Sequence, residues 1–212
     1  MIRLLIADDH PIVREGLKRI VLECKDMQLV GEAENGQMVL EQCEKNDIDV
    51  LLLDISMPGP GFLDVLQRVR LKYPKIQVLV LSIHPEDHYA VRALKAGASG
   101  YLTKSHTPDE LAHAIRHVHA GRKYVSQMLA EKLASQLHNN DDVKLHETLS
   151  NREYQIFCMI GTGIDTGDIA ARLNLSPKTV STYQSRIMGK MNLKSKGELI
   201  RYAIEHGLTS YW

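Results

Sequence analysis

The feature that most constrains this chain is an alternation along its first ~120 residues. Short β-like apolar runs at Arg3–Ala7, Leu29–Ala33, Val50–Leu53, Val78–Leu81 and Gly100–Thr103 take turns with amphipathic stretches. Those stretches fall at Ile12–Cys24, Gln37–Lys45, Phe62–Lys72, Asp87–Ala96 and Pro108–Ala120. Five strands alternating with five helices predict a parallel, doubly wound sheet. The third and fourth runs, Val-Leu-Leu-Leu and Val-Leu-Val-Leu, are apolar on both faces, as central parallel strands must be. Thr107-Pro108-Asp109-Glu110 carries an N-cap, a proline at the first helical position and a capping-box glutamate.

Residues 122–147 have a different character. Gln127–Leu137 can form one helix, and His138-Asn139-Asn140-Asp141-Asp142 is polar and turn-prone. This stretch reads as a partly helical linker. From Leu149 onward the pattern is helical throughout. Ser150-Asn151-Arg152-Glu153 is a capping box; Asp165 can cap a second helix running to Leu173. Asn174 makes a turn, Ser176 caps a third helix opened by Pro177, and Ser195-Lys196-Gly197-Glu198 opens a fourth. Two short helices joined by a tight turn, Asp165–Asn174 and Ser176–Met191, have helix-turn-helix proportions. The expected domains are therefore 1–121, a linker 122–147, and 148–212.

Charge narrows the function of each part. The 212 residues hold 26 basic and 26 acidic side chains, so the whole chain has no basic signature. Between Ile169 and Arg201, however, seven cations face one acid, Glu198. That is a local footprint for a polyanion, or a solvated helical face. Three cysteines at unrelated spacings argue against a disulfide framework or a zinc site. Asp8 and Asp9 interrupt the apolar start, which argues against a signal peptide, and no apolar run approaches the ~20 residues that span a bilayer. A cytoplasmic location is the expectation.

In a doubly wound sheet, ligands bind outside the carboxyl ends of the strands. Asp8 and Asp9 end the first strand, Asp54 the third and Ser82 the fourth, and Lys104 follows the fifth. Clustered carboxylates repel and need a cation, and a few carboxylate oxygens suit Mg²⁺. A carboxylate beside Mg²⁺ can act as a nucleophile toward phosphorus. Lys104 and Ser82 are the right types to receive the added charge. Taken separately, Asp8-Asp9 ahead of His10-Pro11 could equally cap the first helix, and a lone aspartate at a strand end is usually a turn residue.

Residues 1–121 resemble the receiver domain of response regulators, the CheY-like fold. The match is carried by Ile6-Ala7-Asp8-Asp9-His10, Leu53-Asp54-Ile55-Ser56-Met57-Pro58-Gly59, Leu81-Ser82 and Gly97-Ala98-Ser99-Gly100-Tyr101-Leu102-Thr103-Lys104. The resemblance implies that Asp54 takes a phosphoryl group from a sensor histidine kinase. Asp9, Asp54 and the Ser56 carbonyl would ligate Mg²⁺, with Asp8 acting mainly through a water. Ser82 and Lys104 would bind phosphoryl oxygens, and Tyr101 would turn inward as Ser82 moves. Two departures stand out: Pro60-Gly61-Phe62 places phenylalanine where the family has glycine, and Ser56 and His84 occupy positions that tune phosphoryl lifetime.

Residues 149–207 resemble the LuxR-type helix-turn-helix, through Leu149-Ser150-Asn151-Arg152-Glu153, Asp168-Ile169-Ala170-Ala171-Arg172-Leu173 and Leu175-Ser176-Pro177-Lys178-Thr179-Val180-Ser181-Thr182-Tyr183, with Ile187, Lys190-Met191 and Glu198-Leu199 after. Together the two matches are similar to the NarL/FixJ subfamily. Val180, Tyr183, Ile187 and Met191 fall on one helical face, which should face the core. Lys178, Ser181, Thr182, Ser185 and Arg186 fall opposite, suited to a major groove. By the family pattern Ser181, Thr182 and Ser185 read base edges; Lys178, Arg186, Lys190 and Lys194 suit phosphates, with Thr179 beside them. Promoter DNA, a homodimer formed on phosphorylation or on DNA, and no membrane are the implied partners.

Three other functions compete. An aspartyl-phosphate hydrolase would usually carry an acid–base aspartate just after the nucleophile, where Ser56 stands. A phosphorylation-independent regulator would not need Asp8, Asp9, Asp54, Ser82 and Lys104 together. A small-molecule-sensing LuxR-type receptor would not need an acidic pocket at strand ends. The reading is a regulator that is not a metabolic enzyme, although slow self-dephosphorylation is expected.

Overall fold

A computed structural model describes residues 1–82, 86–138 and 144–209. His84 and the polar stretch 139–143 lie outside the described residues. The chain divides into two compact units, Met1–Ala134 and Ser135–Trp212.

The first unit is the expected α/β fold. Its strands are β1 (Ile2–Ala7), β2 (Met27–Ala33), β3 (Val50–Asp54), β4 (Gln77–Ser82) and β5 (Gly100–Thr103). All pair in parallel, in the order β2-β1-β3-β4-β5. The helices are α1 (Pro11–Glu23), α2 (Gly36–Lys45), α3 (Phe62–Lys72), α4 (Glu86–Lys95) and α5 (Pro108–His119). Every strand and helix lies within two residues of its expected bounds. β3 is buried along its whole length, as its two-faced apolar run requires. One face of the sheet meets Leu17, Val21, Leu111, Ala114, Ile115 and Val118 from α1 and α5. The capping box at Thr107 and Glu110 is formed.

The register fixes what stands level at the carboxyl edge. Ala7 pairs with Leu53, Asp54 with Leu81, and Ser82 with Thr103. Asp8, Asp54, Ser82 and Lys104 therefore emerge side by side from β1, β3, β4 and β5. The chain after α5 returns to the free edge of β5. Tyr124 forms a parallel bridge with Gly100, its amide donating to the Ser99 carbonyl at 3.0 Å and its carbonyl accepting from the Tyr101 amide at 3.1 Å. Helix α6 (Gln127–His138) follows.

The second unit is helical: a 3₁₀ turn (Leu145–Thr148), then α7 (Asn151–Gly161), α8 (Thr166–Leu173), α9 (Pro177–Lys190) and α10 (Lys196–Glu205). Each predicted cap is made. Ser150 and Glu153 form the capping box of α7. Asp165 accepts from the Gly167 and Asp168 amides, Ser176 from Thr179, and Ser195 from Glu198. Asn174 turns the chain in the left-handed region at φ 54°. Phe157, Ile169, Leu173, Val180, Ile187, Leu199 and Ala203 are all buried. Gly161 allows α7 and α10 to touch, since a Cβ there would sit 2.7 Å from the Ala203 Cβ. His146, in the 3₁₀ turn, is buried beside Tyr154 and Tyr202, with its Nδ1 3.1 Å from the Tyr202 hydroxyl. Both ends of the stretch expected as linker are thus built into their neighbouring units, at Tyr124 and at His146.

Candidate functional site

The acidic pocket forms where the register places it. One ligand atom each from Asp8, Asp9, His10 and Asp54 lies within 4.8 Å of the others. Asp8 and Asp54 are almost wholly buried. The Lys104 ammonium sits between them, 2.6 Å from Asp8 Oδ2 and 3.0 Å from Asp54 Oδ1. Each of these oxygens meets the ammonium as a close ion pair. Asp54 Oδ2 is buried with no hydrogen-bond partner among the described residues. Burial pushes the Asp54 carboxyl up to about 6, the Lys104 ammonium opposes that rise, and the Asp8 carboxylate adds to it.

Three carboxylates, two of them buried, against one ammonium leave a negative excess. An unpartnered buried carboxylate oxygen is costly unless a cation or donor meets it. The donor set of carboxylate oxygens around one point fits a hard divalent cation.

Several neighbours hold this geometry. The Lys104 amide donates to the Ser82 carbonyl at 2.6 Å, locking the end of β4 to the loop after β5. Ser82 and Tyr101 are both fully buried. Ser56 is half-buried in the loop after β3. His10, rather than Asp8 or Asp9, is the N-cap residue of α1 and its own side chain makes no cap bond, while the Asp8 carboxylate accepts the His10 amide at 2.9 Å. Phe62, in place of glycine, opens α3 as a buried residue, with its ring edge-on to Tyr89 at 5.7 Å. Gly59, three residues earlier, turns the chain in the left-handed region at φ +91°.

Two contributors were not singled out from sequence. His10 places Nδ1 2.9 Å from Asp9 Oδ1 and 3.4 Å from Asp8 Oδ1. Arg14 is buried and donates to the Asp8 carbonyl at 2.7 Å, while its other guanidinium nitrogens meet Glu34 at 2.7 Å and Glu32 at 3.6 Å. A cation one turn into α1, on the side facing the sheet, was the signal available for Arg14.

In the second unit, α9 separates its faces as expected. Val180 and Ile187 are buried, and Tyr183 is half-buried. Lys178, Ser181, Thr182, Ser185 and Arg186 are exposed. Thr179 is half-buried, and its amide donates to the Ser176 cap. Lys194 sits in the loop before α10, where its amide donates to Glu198. Lys190 is engaged differently. Its ammonium lies 2.7 Å from Oε2 of the buried Glu153, tying α9 to α7. Burial pushes the Glu153 carboxyl up, but the Lys190 and Ser150 bonds outweigh it and hold it below its usual range. Among the described residues, no helix is long and apolar enough to cross a membrane.

The two units match known families in the same order. The response regulator receiver domain family matches residues 4–116, and the luxR family of bacterial regulatory proteins matches residues 147–203. The chain is 38% identical over 209 residues to the response regulator UvrY of Escherichia coli K12, covering 98% of this chain and 96% of that one. It is also 38% identical over 213 residues to the response regulator GacA of Pseudomonas aeruginosa, covering 98% of each. RcsB of Salmonella enterica serovar Typhimurium, solved bound to the promoter rprA with the phosphomimetic BeF3⁻, shares the fold with a TM-score of 0.68. Identity there is 24%, over 95% of this chain and 97% of that chain. ChrA, the response regulator of a heme-sensing two-component system, is 29% identical over 98% of each chain, with a TM-score of 0.52. The chain therefore belongs to the NarL/FixJ-type response regulators, with a receiver domain ahead of a LuxR-type DNA-binding domain.

Proposed function

We propose that Asp54 accepts a phosphoryl group from the phosphohistidine of a sensor kinase, and that this controls dimerisation and promoter binding. One observation carries the reading: a buried Asp54 with an unpartnered Oδ2, on a strand end beside Lys104 and two further carboxylates. In the transfer, a carboxylate oxygen of Asp54 attacks phosphorus as the phosphorus–nitrogen bond to the histidine breaks.

The cation that fits the donor set is Mg²⁺; Asp9, Asp54 and the Ser56 carbonyl would hold it, with Asp8 acting mainly through a water, and it would supply charge neutralisation at the phosphoryl oxygens. Lys104 offers its ammonium to another of those oxygens, and Ser82 its hydroxyl. Arg14 fixes the Asp8 backbone and so the level of the acidic pair. Tyr101 is already fully buried, so the inward turn expected of it is already made in this conformation; the backbone bond from Tyr101 to Tyr124 ties β5 to the chain leaving the receiver.

In the second unit, α9 enters the major groove of promoter DNA. Ser181, Thr182 and Ser185 face base edges. Lys178, Arg186 and Lys194 face phosphates, with Thr179 alongside. Lys190 holds α9 to Glu153 and, nearly half exposed with three donors, keeps a donor for a phosphate as well. The RcsB structures, in which dimers sit on DNA, fit a homodimer on the promoter. A cytoplasmic location and a regulatory rather than metabolic role complete the reading. The hydrolase alternative is disfavoured by Ser56, which offers no carboxylate at the acid–base position.

The test is intact mass spectrometry after incubation with Mg²⁺ and a small phosphodonor, with Asp54→Asn as control and promoter DNA binding measured at stated salt. A gain of one phosphoryl mass, absent in Asp54→Asn and accompanied by tighter DNA binding, supports the reading. No gain, with DNA binding indifferent to the donor, overturns it in favour of a phosphorylation-independent regulator.

A further inference from the structure

The three hydroxyls on the exposed face of α9 share one hydrogen-bonding state. Ser181 Oγ donates to the Pro177 carbonyl at 3.1 Å, Thr182 Oγ1 to Lys178 at 2.9 Å, and Ser185 Oγ to Ser181 at 3.1 Å. Each is a bond to the carbonyl one turn back, a pattern open to helical serine and threonine. A hydroxyl has one proton and two lone pairs. With the proton committed to the helix, what remains for a partner is acceptor capacity. All three side chains are exposed, at spacings that put them on one stripe between Lys178 and Arg186. Lys178 and Arg186 are therefore the donors at its two ends, and the middle offers acceptors.

The major groove gives this asymmetry a meaning. Guanine presents only acceptors there, N7 and O6, and thymine presents O4; the donors are the exocyclic amino groups of adenine and cytosine. A guanine edge would meet hydroxyl lone pairs unless a side chain broke its bond to the helix. An amino group meets them without rearrangement. Resting on the reading of α9 as the groove helix, we propose that Ser181, Thr182 and Ser185 form an acceptor stripe selecting half-sites by the exocyclic amino groups of adenine or cytosine. These residues set specificity, and they do so by a route different from the bidentate arginine–guanine contact.

The test uses the full chain with Mg²⁺ and a small phosphodonor. Duplexes are first selected from a randomised library at fixed salt. In the selected half-site each adenine is then replaced by purine, each cytosine by 2-pyrimidinone, and each guanine by 7-deazaguanine, one position at a time. The first two lose the amino group, and the third loses the N7 acceptor. Wild-type protein should lose roughly 5- to 10-fold in affinity at one or more amino-deleted positions, the scale of a single net hydrogen bond. Ser181→Ala, Thr182→Val or Ser185→Ala should abolish that sensitivity at its own position. The proposal is overturned if all three variants remain as sensitive as wild type to amino deletion. It is also overturned if the hydroxyl-dependent sensitivity is to 7-deazaguanine. If Lys178→Ala and the triple hydroxyl variant bind every duplex like wild type, α9 is not in the groove, and it is the underlying reading that has failed.

Discussion

At the scale of single residues, the pocket holds its charge against its own stability. Asp54 has a carboxyl raised to about 6 by burial, so at pH 7 it is ionised in a setting that disfavours ionisation. Replacing it with asparagine removes that cost and keeps the shape. Asp54→Asn should therefore raise the unfolding free energy of the metal-free protein at pH 7, by up to about 3 kcal/mol for a rise of roughly two pK units. Denaturant melts in a chelator check this, and an unchanged or lowered midpoint would contradict it. Divalent cation should act in the opposite sense on the pair. At about ten times its dissociation constant, Mg²⁺ stabilises a protein that binds it only when folded by about 1.4 kcal/mol. Wild type should gain that much, and Asp9→Asn much less. The clustering of Asp8, Asp9, Asp54 and Lys104 is legible in the sequence because strand-end positions follow from the alternation pattern, and these charges are chemically distinctive there. Arg14 and His10 are not, since their roles depend on where α1 starts relative to β1. That Lys190 turns toward Glu153 was hidden for the same reason: two charges 37 positions apart announce no pairing.

At the scale of elements, the boundaries followed from local chemistry, whereas the contacts between elements did not. Caps at Thr107, Ser150, Asp165, Ser176 and Ser195 each sit where a hydroxyl or carboxylate precedes a periodic run, and each is formed. The return of Tyr124 to β5 carries no such signal, because a single bridging residue has no period. It is nevertheless demanding. A Cβ on Gly100 would meet the Tyr124 carbonyl at 2.8 Å and Leu79 Cδ1 at 2.9 Å. Gly100→Ala should then cost about 1–3 kcal/mol, the range for overpacking, and should speed amide exchange at Tyr101 and Tyr124. Protection equal to wild type would show the strap to be unimportant. A second tie, between Arg116 on α5 and Asp26 before β2, is bidentate at 2.7 and 2.8 Å. Hydrogen bonds from Arg116 hold the Asp26 carboxyl at about 2. The sign follows: a depressed carboxylate stabilises above its unfolded value near 4 and loses that contribution as pH falls toward 2. Both partners are about half exposed, so Asp26→Asn should cost under about 1 kcal/mol at pH 7. The difference from wild type should narrow between pH 4 and 2 in parallel melts.

At the scale of the molecule, each unit has its own buried core, and the chain divides between Ala134 and Ser135. Segment 144–209 includes the 3₁₀ turn, with His146 set against Tyr202, and all four helix caps. It should fold alone, and Ile187→Ala should destabilise it by about 2–5 kcal/mol, because Ile187 is fully buried where α9 meets the core. Alone, it has one α9 and should bind a single half-site weakly, with no response to phosphodonor. The full chain differs through linkage rather than through new base contacts. If phosphorylated receivers pair, the second DNA-binding unit is delivered at a high effective concentration. Affinity for a two-half-site promoter can then rise by about 10²–10⁴ with no added contact. The expected result is a donor-dependent gain of that order for the full chain on paired half-sites, a much smaller gain on an isolated half-site, and none for the fragment on either. Light scattering should show doubling of mass with the donor over the same concentration range. A gain on single half-sites as large as on paired ones would mean that phosphorylation changes the exposure of α9 itself. A gain on paired sites without a change in mass would place dimer formation on the DNA.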